Sequence, residues 1–271
     1  MVFNKIKAYA GLYRLDVPVI VFSGAFAGRL LITDEFSWFF FFEAFFLALF
    51  PYNFVYTLNS ITDKTEDSIN KPWRPLPSKK LTTTEASTYL IFITVISVMG
   101  IPVIFNGWEI FLSYLVILLG FSYSVKPFAI KNRGLLSSII TGWGVVHPLY
   151  ITGGQTLALT TTCVLFHGIG ATLLKDLSDL KGDAAAGRKL ITDKIPVSGI
   201  FLISLALMIF SAASFFLTEH SFISIIPLGS ATVLTYNFFY KREFFCEKIY
   251  KKIIWTSALF GFFVILYAVV N

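Results

Sequence analysis

Long apolar runs dominate this chain and set its fold class. Each is close to the roughly 20 residues that carry an α-helix across the hydrocarbon core of a bilayer. Nine spans are read, at roughly 15–33, 36–60, 84–105, 108–124, 135–153, 156–175, 196–217, 221–240 and 252–270. The runs are too long, and lack the polar/apolar alternation, for a membrane β-barrel. The expected fold is all-α: one polytopic membrane domain covering residues 1–271, with nine transmembrane helices. Composition agrees, with 56% apolar residues, 30 Phe and only 14% charged residues. A soluble domain could not hide that much apolar surface.

The basic start leads directly into a full-length span with no small-residue cleavage site, so no cleavable signal peptide is expected. Cys163 and Cys246 lie far apart and form no pair or metal motif, which leaves them as packing residues. His147, His167 and His220 are scattered, which argues against a zinc site.

The basic residues supply the orientation. Of the 22 Lys and Arg, all but Arg29 fall before the first span or after the second, fourth, sixth and eighth. The positive-inside rule makes that side cytoplasmic, with the N-terminus in and the C-terminus out. The net charge of +6 is then a topology signal, and no nucleic-acid partner is expected.

Two acidic clusters fall on that same side, at the ends of two spans. Asn59, Asp63 and Asp67 stand at i, i+4 and i+8; Asp176, Asp179 and Asp183 stand at i, i+3 and i+7. Each set therefore occupies one face of a helix. Carboxylates beside lipid are costly and mark a functional site. They also sit at helix C-termini, where a bound cation is favourable and an acid is not. The bland reading is that these are solvated loop charges. Five carboxylates bring about −5 and a diphosphate about −3, which two Mg²⁺ and nearby Lys or Arg would balance. Hard oxygen ligands beside phosphate suit Mg²⁺.

Other residues carry two readings each. Asn59 offers an oxygen to metal, an amide to phosphate, or only a helix-end hydrogen bond. The loop from Asn70 to Ser78 holds Pro72, Pro75 and Pro77, which stiffen it. Arg74 on this loop suits bidentate phosphate contact or a lipid-headgroup anchor, and the same choice applies to Lys126 and Lys131. Tyr123 donates to phosphate or belongs to the aromatic belt. Glu43, His147 and Asn53 are cavity candidates or structural groups. The Phe residues face lipid and helix neighbours, with a minority available to line a pocket for an isoprenyl tail. A faint echo of acidic cluster and basic loop, after spans one and two and again after five and six, suggests two related halves.

The segment Asn59-Ser-Ile-Thr-Asp63-Lys-Thr-Glu-Asp67, followed by Asn70-Lys-Pro-Trp-Arg74-Pro-Leu-Pro-Ser78, resembles the first motif of the UbiA superfamily of intramembrane prenyltransferases. The segment Lys175-Asp176-Leu-Ser-Asp179-Leu-Lys-Gly182-Asp183, followed by Gly187-Arg188, resembles its second. Tyr123-Ser124 with Lys131, and Arg14-Leu15-Asp16 with Pro18, are similar to weaker family patches. Ser60 departs from the pattern, where many relatives carry a further Asp. The resemblance implies nine helices around a central cavity that opens sideways to lipid. It implies an isoprenyl diphosphate donor and Mg²⁺ held by Asp63, Asp67, Asp176, Asp179 and Asp183, with Asn59 supporting them. Arg74, Tyr123, Lys131 and Lys175 would steady the diphosphate. The acceptor would be an aromatic ring, a quinone precursor or a lipid. The expected location is a bacterial or archaeal cell membrane, with the site facing the cytoplasm. The alternative on the same scaffold is a terpene cyclase that needs no acceptor. A transporter with a cation-binding mouth is a third reading, against which stand the gathering of most of the acid at one surface and the lack of a charged relay at mid-membrane.

Overall fold

The computed structural model describes residues 2–14, 16–33, 35–241, 249–255, 258–259 and 262–263. Eleven α-helices are defined among them, and no β-strand. They are α1 (Val2–Tyr13), α2 (Asp16–Thr33), α3 (Trp38–Leu49), α4 (Pro51–Thr62), α5 (Lys64–Asn70) and α6 (Thr83–Ile104). Then follow α7 (Gly107–Ser124), α8 (Leu135–Gly153), α9 (Ala158–Ala185), α10 (Val197–Ser214) and α11 (Ile225–Thr235).

Burial is inverted relative to a water-soluble protein. On α6, Val103 is 81% and Met99 69% exposed, whereas Ser97 is fully buried. Large apolar side chains face outward, and small or hydroxyl residues let helices approach within the bundle. Ser97 Oγ donates to the Ile93 carbonyl (2.7 Å), so its hydroxyl is satisfied within the helix. Helix ends follow local chemistry: Thr82 and Glu85 form a capping box that starts α6, and Ser37 caps α3.

Six stretches among the described residues are long and apolar enough to cross a membrane, or up to seven if the bent α1–α2 pair counts as one. Nine is therefore not established. Two physical reasons account for the difference. The stretch Leu135–Ala185 registers as one, yet it folds back on itself: Ser138 of α8 meets Thr172 of α9, and Gly142 packs on Gly168 and Ile169. The expected last span, 252–270, lies largely outside the described residues.

The apolar core forms two main clusters. One joins α2, α3, α4, α6 and α7 around Phe26, Leu47 and Phe105; the other joins α9, α10 and α11 around Leu174, Phe201 and Met208. α8 lies between α2 and α9. The α1–α2 axis turns through 58° near Arg14, whose φ is +62°. That is the left-handed region, strained for a non-glycine residue.

Candidate active site

Backbone hydrogen bonding explains how the first acidic cluster keeps one face. Asp63 interrupts the helix between α4 and α5, with φ −100° and ψ 14°. The i to i−4 pattern nevertheless continues across the break: Asp63 N donates to Asn59 O, Asp67 N to Asp63 O and Lys71 N to Asp67 O, each at 2.8 Å. The helical path thus runs to Asn70, well past the expected end of the span at 60. The second cluster lies in the C-terminal turns of α9, whose helix continues to Ala185, past the span end expected at 175.

α5 and α9 are fastened side by side. Asn70 Nδ2 donates to the Asp179 carbonyl and its Oδ1 accepts from Gly182 N–H, both at 2.8 Å. A Cβ at Gly182 would lie 2.4 Å from the Asn70 amide nitrogen and 2.7 Å from the Glu66 carbonyl oxygen. Glycine is required at this point by close approach. The contact brings the two clusters onto one pocket, about 110 residues of chain apart. Asn59 and all five predicted acids line it, as do the predicted Arg74, Tyr123, Lys131 and Lys175.

The acids are already paired with cations. Arg188 donates to Asp63 (2.5 Å), Glu66 (2.7 Å) and Asp183 (3.0 Å), bridging both clusters. Lys131 donates to Asp63 (2.6 Å) and Thr62 (2.9 Å). Arg74 Nη1 contacts both oxygens of Asp67, at 2.6 and 2.5 Å. Lys71 donates to Asp179, and Lys175 lies 3.6 Å from Asp176 and 3.7 Å from Asp179. Asp176 also accepts from Ser138 Oγ at 2.5 Å. Tyr123 Oη pairs with Ser137 Oγ at 3.0 Å.

Burial alone would raise the Asp63 carboxyl, but Lys131 and Arg188 overcome it and hold the group below the ordinary carboxylate range. For Lys71 burial wins over the attraction of Asp179 and pushes the ammonium down to about 8. Burial also works against the Arg188 guanidinium, yet its three carboxylates shift it upward overall.

Sequence reasoning foresaw a carboxylate excess at this site, and the structure corrects it. Six acids line the pocket, Glu66 among them, but so do seven cations: Arg14, Lys71, Arg74, Lys131, Lys175, Arg188 and Lys189. The site does not need metal merely to cancel its own charge. Among the described residues, no three Asp, Glu, His or Cys side chains converge on one point, although Mg²⁺ beside a diphosphate needs only one or two carboxylates, with phosphate and water as its other ligands. The donor chemistry nevertheless fits Mg²⁺: every acid is a hard oxygen ligand, and Asn59 Oδ1 is buried with no partner. Loading would require Arg188 and Lys131 to release their carboxylates.

The pocket opens into a cavity of about 880 Å³. The two share Arg14, Asn59, Lys71, Arg74, Tyr123 and Lys175. At its apolar end the cavity is lined by Tyr52, Tyr56, Val116, Leu119, Trp143 and His147. His147 is fully buried and stacks on Trp143 with centroids 3.8 Å apart. Tyr52 Oη donates to the Gly144 carbonyl (3.1 Å) and lies 3.5 Å from His147 Nδ1. Asn53 is not part of this lining; it hydrogen-bonds Tyr89 at 2.6 Å. Nor is Glu43, which is only 1% exposed and pairs with Arg29 through both oxygens at 2.6 and 2.8 Å. Cys163 is buried as a packing residue, and Cys246 lies outside the described residues. Lys71, Glu66, Asn70 and Arg188 were in the quoted motifs but were given no role; their partners are distant in sequence.

Comparison with known proteins places this geometry in context. Residues 20–241 match the UbiA prenyltransferase family. Chlorophyll synthase of Oryza sativa subsp. japonica is 26% identical over 145 residues, covering 48% of this chain and 38% of that protein. Digeranylgeranylglyceryl phosphate synthase of Korarchaeum cryptofilum is 28% identical over 166 residues, covering 56% of each. The match thus spans well under two thirds of either relative. In fold, the chain is similar to a UbiA homologue from Archaeoglobus fulgidus bound to GPP and Mg²⁺, with a TM-score of 0.71, 18% identity, and coverage of 95% and 99% of the two chains. The matched segment contains both acidic clusters and the loops that hold them, and the chain belongs to the UbiA prenyltransferase family.

Proposed function

We propose that this chain is an Mg²⁺-dependent intramembrane prenyltransferase, moving an isoprenyl group from its diphosphate to a lipophilic or aromatic acceptor. One observation carries the reading: a two-helix carboxylate pocket opens into a large cavity with an aromatic, apolar end. A diphosphate with a hydrocarbon tail has the same two-part chemistry. From Asn59 to Tyr52 the cavity wall follows α4 for two turns, about 10 Å of depth for the tail. The relatives named chlorophyll synthase and digeranylgeranylglyceryl phosphate synthase, and the neighbour bound to GPP and Mg²⁺, support the same class.

Asp63, Asp67, Asp176, Asp179 and Asp183, with the Asn59 oxygen, would hold the metal. When bound, Mg²⁺ would neutralise the departing diphosphate. Arg74, Lys131 and Lys175, now engaged with carboxylates, stand within the pocket to take up phosphate oxygens instead. Tyr123 would donate a hydrogen bond there, exchanging its present contact with the Ser137 hydroxyl. The aromatic chamber would shield the allylic carbon from water, and its ring faces favour positive charge. The chemistry is transfer of the prenyl carbon to the acceptor nucleophile, with loss of diphosphate and a proton. The Lys/Arg partition supports a site facing the cytoplasm.

Purified protein incubated with radiolabelled donor tests the reading. Diphosphate release that needs both an acceptor and a divalent cation supports transfer. Release without acceptor, with a hydrocarbon product, identifies a cyclase. No release with any donor overturns the enzymatic reading.

A further inference from the structure

The large cavity stops partway across the bundle. Its lining on α4 reaches from Asn59 to Tyr52, on α7 from Tyr123 to Val116, and on α8 from Ile140 to His147. Among the described residues, none of α7 before Val116 and none of α8 after His147 belongs to its wall. Yet α7 begins at Gly107 and α8 continues to Gly153. The space beyond is filled: Tyr52 and Val116 belong both to the cavity wall and to the first core cluster, which continues through Ile101, Phe105 and Ile151. A tail that starts at the acidic pocket therefore meets a floor. Along α4 from Asn59 to Tyr52, and along α7 from Tyr123 to Val116, the floor is about 10 Å deep. Along α8, from Ser137 of the acidic pocket to His147, it is about 15 Å deep.

Three rings from two helices make this floor rigid. His147 is fully buried and stacks on Trp143, with centroids 3.8 Å apart and planes inclined by 30°. Tyr52 Oη donates to the Gly144 carbonyl at 3.1 Å and lies 3.5 Å from His147 Nδ1. Trp143 and His147 stand one turn apart on α8, and Tyr52 fastens that turn to α4. Tyr52 and His147 are buried, whereas Trp143 keeps part of its surface open. The next residue has the opposite character. Gly144 lines the cavity, and a Cβ there would meet nothing within 4 Å.

These observations deepen the transferase reading and rest on it. An isoprene unit has four carbons in line and spans about 5 Å at ordinary bond lengths. We propose that Trp143 is the stop for the donor's tail, with His147 as the positioning residue behind it, and that the donor class is a diphosphate of two or three isoprene units. A longer tail must push into close-packed core side chains, which resist displacement, or turn sideways into lipid. Gly144 is the complement of the stop: its missing side chain leaves the room in which the last unit lies.

The test uses the full chain in non-ionic detergent with Mg²⁺, titrated calorimetrically with hydrogenated isoprenyl diphosphates of five, ten, fifteen and twenty carbons. These probes lack the allylic double bond, so they bind without ionising. Their partition into micelles cancels when a variant is compared with wild type at one chain length. Trp143→Ala should raise the affinity for the twenty-carbon probe, relative to the ten-carbon probe, by about tenfold over wild type. Gly144→Leu should lower the affinity for the fifteen-carbon probe, relative to the five-carbon probe, by about tenfold. His147→Ala should follow Trp143→Ala by a smaller factor. His147→Phe, which keeps a ring for Trp143 to stack on, should return the wild-type ratio. Ratios unchanged in Trp143→Ala and Gly144→Leu, or an equal loss at every length, overturn the proposal. So does a wild type whose affinity still climbs from fifteen to twenty carbons, the mark of a tail that leaves sideways into lipid. Failure of wild type to release diphosphate from any allylic donor would count against the transferase reading alone, since the titration still decides the stop.

Discussion

Two buried ionic networks stand apart in this bundle, and their contrast separates a candidate site from a structural fastening. Around Arg29, one guanidinium meets Glu43 at 2.6 Å, Glu109 at 2.7 Å and the Thr152 carbonyl at 3.2 Å. These residues tie α2, α3, α7 and the end of α8 together. None of them lines either cavity described above. Around Arg188, by contrast, several cations share several acids, the cluster faces a pocket, and Asn59 Oδ1 and Arg188 Nε are buried without partners. A charged group in the membrane region is thus not by itself a sign of chemistry. Unfilled hydrogen-bonding capacity beside open space is the sharper sign.

The largest expected effect lies in the Arg188 network. Asp63→Ala or Asp179→Ala should lower turnover by at least about a thousandfold, because an oxygen ligand for the metal that would neutralise the departing diphosphate is lost. The protein should still elute as a folded species on size exclusion. Chelation by EDTA should give a comparable loss, reversible with Mg²⁺. Full wild-type rates in excess chelator would remove the functional half of the comparison.

Arg29→Leu addresses the other half. It leaves Glu43 buried without its partner, at a cost of about 3–5 kcal/mol. Thermal unfolding in detergent should show that loss, while the surviving folded fraction keeps its donor kinetics. Arg29→Leu combined with Glu43→Leu should recover much of the stability. Lost catalysis with unchanged melting would mean that the Arg29 network is not merely structural.

Smaller effects grade the pocket itself. Arg74→Gln and Lys131→Gln should each weaken donor binding or slow its ionisation by about ten- to a hundredfold, the cost of one charge-assisted contact. Kinetics in neutral liposomes would separate this from headgroup anchoring, which should vary with anionic lipid instead. Gly182→Ala should cost about 1–3 kcal/mol by forcing α5 and α9 apart at Asn70. Its donor KM should rise as well, since both carboxylate faces hang on that contact. An unchanged KM would show that the helices tolerate a looser joint.

Local periodicity made the acids legible from sequence. Asn59, Asp63 and Asp67, like Asp176, Asp179 and Asp183, belong to single helical faces, and a face is a short-range property. Their partners were not legible. Lys131 reaches Asp63 across 68 residues and Arg188 reaches it across 125, so the near balance of charge appears only once the loops have folded. The break at Asp63, after which the helical path resumes to Asn70, was also hidden, because the polar stretch after Thr62 reads as the end of a span. Glu43 and Arg29 looked like an intramembrane acid and a stray topology exception. Their pairing makes each explain the other.

The triple grip of Arg188 has a consequence for how the bundle is held. A zinc finger must find its ion before it can fold, because nothing else reconciles its ligands. Here a guanidinium on the chain plays the reconciler: Arg188 meets Asp63, Glu66 and Asp183, so the two acidic helices are tied to each other by the chain's own charge. Replacing Arg188 would therefore set three carboxylates against one another across that seam, a like-charge conflict that the rest of the bundle would have to absorb.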